Sequence, residues 1–230
     1  LGQRDERLLP VPRDPLEVKA EIAAYYAVVS HVDAQVGRLL ATLRALGQDR
    51  NTLVVFTSDH GLALGSHGLM GKQNMYEHTI GVPLIVAGPG IPENRRFAAQ
   101  VYLRDLFPTF CDLAGIAIPA TVEGRSFAPV LRGLAREIHP ETYAYWHRQD
   151  HPGELPIQRM VRTERWKLIY YSHLPRWQLF DLETDPHELN DLSADPRQQA
   201  VFEELRGKLE AWFAPRMKQH REIAARAGAR

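Results

Sequence analysis

The most regular hydrophobic pattern of the chain lies near its start, at residues 14–47. Apolar residues recur there in alternating steps of four and three, a spacing that places them on one face of an α-helix. They occupy positions 18, 22, 25, 29, 32, 36, 39, 43 and 46. Asp14 can cap the first turn, Pro15 and Glu17 suit that turn, and Gly47 favours a stop. The pattern predicts a long amphipathic helix that lies against a larger body.

Two short runs further along are apolar almost throughout. Residues 52–57 (TLVVFT) and 82–87 (VPLIVA) show no polar alternation, which is typical of strands buried on both faces of a sheet. The segment LFPTFCDLAG then has the spacing of a helix that closes at Gly115. The order helix, buried strand, loop, buried strand, helix favours an α/β fold with a mostly parallel sheet flanked by helices.

The pattern changes after about residue 135. Four short runs rich in aromatic and β-branched residues are separated by turn residues: TYAYWH, IQRMVRTE, RWKLIYYS and RWQLFDLE. They predict an antiparallel sheet, and the apolar spacing over residues 196–213 predicts a closing helix. We therefore expect one domain at residues 1–135 and a small α+β subdomain at residues 136–230.

Composition narrows the function classes. Among 230 residues, 28 Lys and Arg balance 28 Asp and Glu, so no basic excess argues for a nucleic-acid or membrane surface. The single cysteine, Cys111, excludes an internal disulfide framework, and its place in an amphipathic pattern favours core packing. No apolar run is long enough for a membrane-spanning helix. Because the chain begins with Leu1, we expect a processed product or a fragment and conclude nothing about export.

The candidate chemistry follows the first apolar run. Asp59 and His60 come directly after the predicted strand, where ligand-binding groups of α/β folds gather, and together they offer an oxygen and a nitrogen to a divalent cation. His67 and Lys72 follow in a glycine-rich loop that could fold back and present an imidazole and an ammonium group to an anion. Asp59 could instead cap the next segment beside a solvent-exposed His60, and the glycines could belong to a mobile surface loop. The residues alone leave both interpretations open.

The segment LVVFTSDHGLALGSHGLMGKQNMYEHTIGVPLIVAGPGIP closely resembles the part of sulfatase-family hydrolases, within the alkaline phosphatase superfamily, that carries the second half of the active site. The flanking segments AYYAVVSHVDAQVGRLLATL, VYLRDLFPTFCDLAGIAIP and WQLFDLETDPHELNDL resemble that family in the same order, over roughly residues 16–213. The resemblance implies the later part of an alkaline-phosphatase-like α/β domain and a small C-terminal α+β subdomain.

The resemblance also implies roles for individual residues. Asp59 and His60 match metal ligands, with Ca²⁺ the usual metal of the family. Lys72 matches the lysine that holds the sulfate oxygens, and His67 matches a histidine near the sulfate or the leaving group. His78 follows Tyr76 and Glu77 and is a further candidate for substrate contact, with a packing role equally open. The substrate would be a small-molecule or saccharide sulfate ester, and the family habit implies a periplasmic or secreted protein of undetermined oligomeric state.

One part of the family pattern is missing from the chain. The resemblance implies a formylglycine nucleophile made from a Cys-x-Pro-x-Arg stretch, together with two further carboxylate ligands, and neither occurs in this sequence. We therefore expect a sulfatase-like hydrolase of which this chain supplies half of the active site and is inactive alone. Two alternatives stay open: a phosphodiesterase or phosphonate monoester hydrolase of the same superfamily, and an inactive truncated module.

Overall fold

The computed structural model describes residues 5–146 and 158–228, with side chains up to residue 218. The chain divides into two compact units, and each is described by itself. The described residues of the first unit belong to Leu1–Gln73, His78–Arg96 and Leu131–Leu134. Those of the second unit belong to Asn74–Glu77, Phe97–Val130 and Ala135–Arg230.

The first unit opens with the predicted long helix, α1, at Pro15–Ala45. Its start is confirmed in detail, because the carboxylate of Asp14 accepts the amide of Leu16 at 2.7 Å. The apolar face behaves differently from the expectation: within the described part of the chain, no residue of α1 is buried. None of the described helices combines the length and the apolar character needed to cross a lipid bilayer.

The two apolar runs form strands β1 (Val54–Thr57) and β2 (Leu84–Ala87), which pair with each other. The pairing is antiparallel, with Val54 opposite Ala87 and Thr57 opposite Leu84, so the expected parallel arrangement is wrong for this pair. The expected burial on both faces is also wrong, because no residue of β1 or β2 is buried and Phe56 and Ile85 are 41% and 59% exposed. An apolar run carries no information on strand direction. The connection contains only the short helix α2 (Glu77–Ile80) and a 3₁₀ turn, rather than the long crossover helix that parallel strands need.

The second unit contains the predicted antiparallel sheet. Its four strands pair in chain order, β3 (Thr142–Trp146), β4 (Gln158–Arg162), β5 (Trp166–Tyr171) and β6 (Arg176–Asp181). Helix α5 (Gln199–Gly228) packs on this sheet and continues well beyond the predicted end at residue 213. The core between them consists of Val161, Leu168, Leu179, Phe202, Leu205 and Leu209.

Residues 97–130 group with this second unit, although the sequence pattern placed them in the first domain. Contacts with residues 139–143 join them to this unit: the buried carboxylate of Asp105 lies 2.8 Å from His139 Nε2, and the Tyr143 amide donates to the Tyr102 hydroxyl at 2.6 Å. Helix α3 (Leu106–Ala114) follows Asp105 and buries Cys111 as expected, and the short helix α4 (Ala128–Leu131) comes next. The division at residue 135 stays a prediction for the domains of the intact protein.

A lysine lies wholly buried in the second unit. Lys167 Nζ is 2.7 Å from Glu188 Oε1 and 3.0 Å from Glu77 Oε1, and its side chain is 0% exposed. Glu188 also accepts the backbone amide of Glu77 at 2.6 Å, and Arg162 Nε lies 3.0 Å from Glu77 Oε1. Buried charges are tolerated when they are paired and hydrogen-bonded in this way. The cluster therefore fixes both the backbone and the side chain of Glu77 to the sheet.

The electrostatics of Glu77 follow from this cluster. Burial by itself would raise the pKa of Glu77, but the charges of Lys167 and Arg162 together outweigh it and keep the pKa below its ordinary value. Because the folded pKa is lowered, Glu77 contributes to stability at neutral pH, and that contribution is lost only as the pH falls through the lowered pKa.

Replacing the buried lysine tests the cluster. Lys167→Met keeps the volume but leaves Glu188 without its cation, and we expect it to lower the free energy of unfolding by about 3–5 kcal/mol. The matched control is Lys208→Met, since Lys208 is 35% exposed in its ion pairs with Glu141 and Glu204, and its loss should cost less than about 1 kcal/mol. Chemical denaturation of both variants measures the difference, and equal losses would contradict the assignment.

Candidate active site

The predicted metal ligands lie where the chain leaves β1. Gly61 turns the chain away, and its amide donates to the Thr79 carbonyl at 2.8 Å. A β-carbon at position 61 would collide with the carbonyl oxygen of His78, so only glycine fits this close approach. The loop between Gly61 and Thr79 is thereby closed at its base, directly beside Asp59 and His60.

The side chains of Asp59 and His60 converge on one volume. Asp59 Oδ2 lies 3.3 Å from His60 Nε2, with the two side chains 80% and 32% exposed. Two metal–ligand bonds of about 2.1 and 2.4 Å at a right angle would place their donor atoms about 3.2 Å apart. The two residues therefore fit adjacent positions around a single divalent cation. Over residues 5–146 and 158–228, no group of three or more His, Cys, Asp or Glu side chains is placed to hold a metal ion.

The hydrogen bonds of His60 specify one tautomer. His60 Nδ1 lies 3.0 Å from the Gly61 carbonyl, which can only accept, so Nδ1 carries the proton and donates. His60 Nε2 lies 2.8 Å from Lys72 Nζ, an ammonium group that can only donate, so Nε2 accepts. The lone pair of Nε2 is thus the one available for a metal, and the backbone carbonyl orients the ring as metal-binding histidines require.

Lys72 is brought to this group from the far side of the loop. Its ammonium donates a hydrogen bond to the lone pair of His60 Nε2. A cation held by Asp59 and His60 would need the same lone pair. A bound cation would therefore displace the ammonium toward any anion that the cation also contacts. Asp59, His60 and Lys72 thus lie together in the first unit, and their roles as metal ligands and anion-binding group stay predictions.

His67 and His78 are brought together separately. Their ring centroids are 5.3 Å apart, with the planes inclined at 37°. His67 is exposed at a 3₁₀ turn and has a left-handed backbone, with φ of 56°. His78 immediately precedes Thr79, which anchors Gly61, so its backbone borders the Asp59–His60 turn. The roles of both histidines in binding or proton transfer stay predictions.

Sequence reasoning missed a residue at the start of the chain. Residues 1–15 have the composition of a polar connector, yet Glu6 accepts the amides of Met70 and Gly71, at 3.0 and 2.8 Å, beside Lys72. The only signal in the sequence is the acidic pair Asp5–Glu6, which is too common to identify such a contact.

The tautomer of His60 is directly measurable. In the metal-free chain we expect His60 to carry its proton on Nδ1, against the preference of free imidazole for Nε2, because the Gly61 carbonyl and the Lys72 ammonium, which lie nearer to the ring nitrogens than Asp59 Oδ2, require that arrangement. Long-range ¹H–¹⁵N NMR correlations distinguish the two nitrogens. In Lys72→Met the proton should stay on Nδ1 while the Nε2 signal shifts, and protonation at Nε2 in the wild type would contradict the geometry.

Two family models match the chain. Residues 3–116 match the model described as "Sulfatase", and residues 65–214 match the one described as "N-sulphoglucosamine sulphohydrolase, C-terminal". Among curated proteins, the Delta 4,5-hexuronate-2-O-sulfatase of Bacteroides thetaiotaomicron is 35% identical over 207 residues, which are 88% of this chain and 43% of that protein.

Solved structures agree with these matches. A 2-O GAG sulfatase superposes with a TM-score of 0.79 at 35% identity, over 87% of this chain and 44% of that one. The phosphonate monoester hydrolase of Agrobacterium radiobacter superposes with a TM-score of 0.73 at 29% identity, over 88% of this chain and 42% of that one. The matches confirm the α/β class, and the chain spans less than half the length of these relatives. The chain belongs to the sulfatase family.

Proposed function

We propose that the intact protein to which this chain belongs hydrolyses a sulfate ester, and that this chain supplies half of its active site. The observation that carries the proposal is the approach of two groups to His60 Nε2: Asp59 Oδ2 lies 3.3 Å from it and Lys72 Nζ lies 2.8 Å from it. Two potential metal donors and one ammonium group would suit a tetrahedral anion, such as a sulfate group, that contacts both the cation and the ammonium.

Asp59 and His60 would hold the cation. The oxygen and nitrogen donors are compatible with several divalent metals, and Ca²⁺ is the metal that the family resemblance favours. When bound, the cation would supply positive charge beside the sulfate oxygens and the nucleophile. The Gly61 carbonyl keeps the His60 ring in its orientation during this chemistry, since it holds the Nδ1 proton.

Lys72 would hold the sulfate group and stabilise the charge that develops on its oxygens. A histidine would protonate the leaving oxygen, and His67 is our candidate because it is exposed on the loop that Lys72 also occupies. His78, whose ring lies beside that of His67, would contact the substrate or orient the His67 ring. None of these roles requires a nucleophile from this chain.

The nucleophile is expected from another part of the intact protein. Cys111 is buried in α3 and lacks the Pro and Arg of the family's Cys-x-Pro-x-Arg stretch, so it cannot take that role. We therefore expect this chain on its own to hydrolyse no sulfate ester. The compartment, periplasmic or secreted, stays a prediction from the resemblance.

The substrate is best supported as a sulfated saccharide, because the matching proteins include a hexuronate-2-O-sulfatase and a 2-O GAG sulfatase. The alternative is a phosphonate monoester or phosphate diester, since a phosphonate monoester hydrolase shares the fold over most of this chain. A tetrahedral anion of either kind would suit Lys72 and a bound cation equally well.

Substrate preference tests the proposal. We expect the intact protein to hydrolyse sulfate esters with a kcat/KM at least about tenfold above that for matched phosphonate monoesters and phosphate diesters with the same leaving group, a difference of about 1.4 kcal/mol. Steady-state assays on paired aryl substrates, followed by sulfated uronic acids and amino sugars, would establish the class. A higher kcat/KM on the phosphorus esters would replace the sulfatase assignment with the alternative.

The role of Lys72 gives a second measurement. Lys72→Ala should lower kcat/KM of the intact protein about 100- to 1000-fold, because it removes a charge placed where the transition state becomes more negative. Lys218→Ala, which truncates an exposed lysine of α5, should leave kcat/KM unchanged. If Lys72→Ala lowers kcat/KM by less than about threefold, Lys72 does not contact the transition state.

A further inference from the structure

The backbone amides just before Lys72 point at a single carboxylate. Glu6 Oε2 accepts the Met70 amide at 3.0 Å, and Glu6 Oε1 accepts the Gly71 amide at 2.8 Å. Met70 and Gly71 are both buried. Without Glu6 their amides would therefore lose their hydrogen bonds, and a water molecule could take the place of the carboxylate only at a cost in free energy. Glu6 therefore satisfies two amides that lie 64 and 65 positions away in the sequence.

The amide of Lys72 itself continues the same arrangement. It donates to Gln73 Oε1 at 3.3 Å, and Gln73 Nε2 donates to Asp5 Oδ2 at 3.1 Å. A β-carbon on Gly71 would lie within 3.0 Å of Asp5, Glu6 and Gln73 atoms, which shows how closely the acidic pair approaches the loop. Three consecutive amides therefore donate to side-chain oxygens. Two donate to Glu6 itself, and the third donates to Gln73, whose own amide group is held by Asp5.

The opposite edge of the loop is occupied by its own backbone. The Ala63 amide donates to the Gly71 carbonyl at 3.0 Å, and the Gly65 amide donates to the Leu69 carbonyl at 2.7 Å. The carbonyls of this segment therefore face the outgoing arm of the loop, while its amides face Glu6. With both edges bonded, the backbone that carries Lys72 has little freedom to rotate.

Arg13 completes the clamp. Its Nη2 lies 2.7 Å from Glu6 Oε2, and the two side chains are each only 8% exposed. Arg13 Nε also donates to the Gly68 carbonyl at 3.3 Å, so the cation bridges the carboxylate and a third point of the loop. A buried carboxylate needs both a cation and hydrogen-bond donors, and here Arg13 and the loop amides provide them.

We propose that Glu6, paired with Arg13, is a positioning residue that holds the Met70–Gly71 backbone so that Lys72 is presented beside His60. The importance of this clamp for catalysis rests on the proposed function of Lys72, whereas the clamp itself is a property of this chain. Glu6 does not need to touch the substrate, because its effect passes through the orientation of the lysine-bearing loop.

Kinetics of the intact protein test whether Glu6 acts through Lys72. Glu6→Ala should lower kcat/KM for an aryl sulfate about 10- to 100-fold, since displacing a catalytic group by about 1 Å can cost that much. In a Lys72→Ala background the same substitution should cost less than about twofold, because the group that it positions is gone. Glu17→Ala, an exposed glutamate in the first turn of α1, is the matched control and should change nothing. Equal losses from Glu6→Ala in both backgrounds would overturn the proposal.

Amide hydrogen exchange tests the clamp without any activity. In this chain, NMR-detected exchange at Met70 and Gly71 should rise at least about tenfold in Glu6→Ala and stay unchanged in Glu17→Ala. Glu6→Gln keeps one acceptor oxygen and should raise the exchange rates of these two amides by an intermediate amount. Because it disturbs folding less, it replaces Glu6→Ala in the experiment if that variant does not fold. Unchanged exchange would overturn the clamp, and faster exchange with unchanged kcat/KM would overturn its positioning role. An intact wild type without activity on any ester would overturn the proposed function, while the exchange rates would still decide on the clamp.

Discussion

The candidate site depends on one backbone contact, the 2.8 Å hydrogen bond from the Gly61 amide to the Thr79 carbonyl. It joins the residue after His60 to the residue after His78, so it closes the loop at its base. Holding the ends of a flexible loop together costs conformational entropy, and this hydrogen bond offsets part of that cost. Only glycine permits the contact, because a side chain at position 61 would collide with the His78 carbonyl. The loop histidines and Lys72 are consequently returned to the end of β1, where Asp59 lies.

A second constraint recurs three times among the residues that the structure describes. Three buried carboxylates each pair with one basic side chain and each accept a backbone amide from a distant segment. These pairs are Glu6 with Arg13, Glu188 with Lys167, and Asp105 with His139. A buried charge with a partner on one side and amides on the other satisfies both the charge and the backbone, so each pair fixes a non-regular segment that no helix or strand would hold.

How much the sequence could predict follows from the range of each interaction. The start of α1 was predictable because Asp14 caps an amide two residues away, and the C-terminal sheet was predictable because its strands alternate with turn residues. The combination of Asp59, His60 and Lys72 came from the family resemblance; the structure places Asp59 Oδ2 and Lys72 Nζ beside His60 Nε2, and the roles of the three residues stay predictions. The direction of β2 was not predictable, since an apolar run is the same in either orientation.

The contact of Glu6 with the loop was equally unpredictable, because its partners there lie more than 60 positions away and are backbone amides, which any residue type provides. The grouping of residues 97–130 with the second unit was not predicted for the same reason: one of the contacts that carry it is the Tyr102 hydroxyl, which accepts the Tyr143 amide. Both cases involve a side chain that recognises backbone rather than another side chain. Pattern and composition describe which residues a segment contains, whereas these contacts depend on where two segments meet.

The exposure of the candidate ligands bears on how the active site would be completed. Asp59 is 80% exposed, and Asp59 and His60 provide two donor atoms, whereas Ca²⁺ requires about six to eight ligands. In the proposed function, the remaining ligands and the nucleophile would approach from the open side of this pair. In that function, the tautomer of His60 and the backbone of Lys72 would be set before the cation binds, while the Lys72 ammonium and the exposed Asp59 carboxylate would still move to meet it. Setting the His60 ring and the Lys72 backbone in advance would reduce the ordering cost of binding, so the cation and the sulfate group would organise mainly these two side-chain ends and the groups that come from elsewhere.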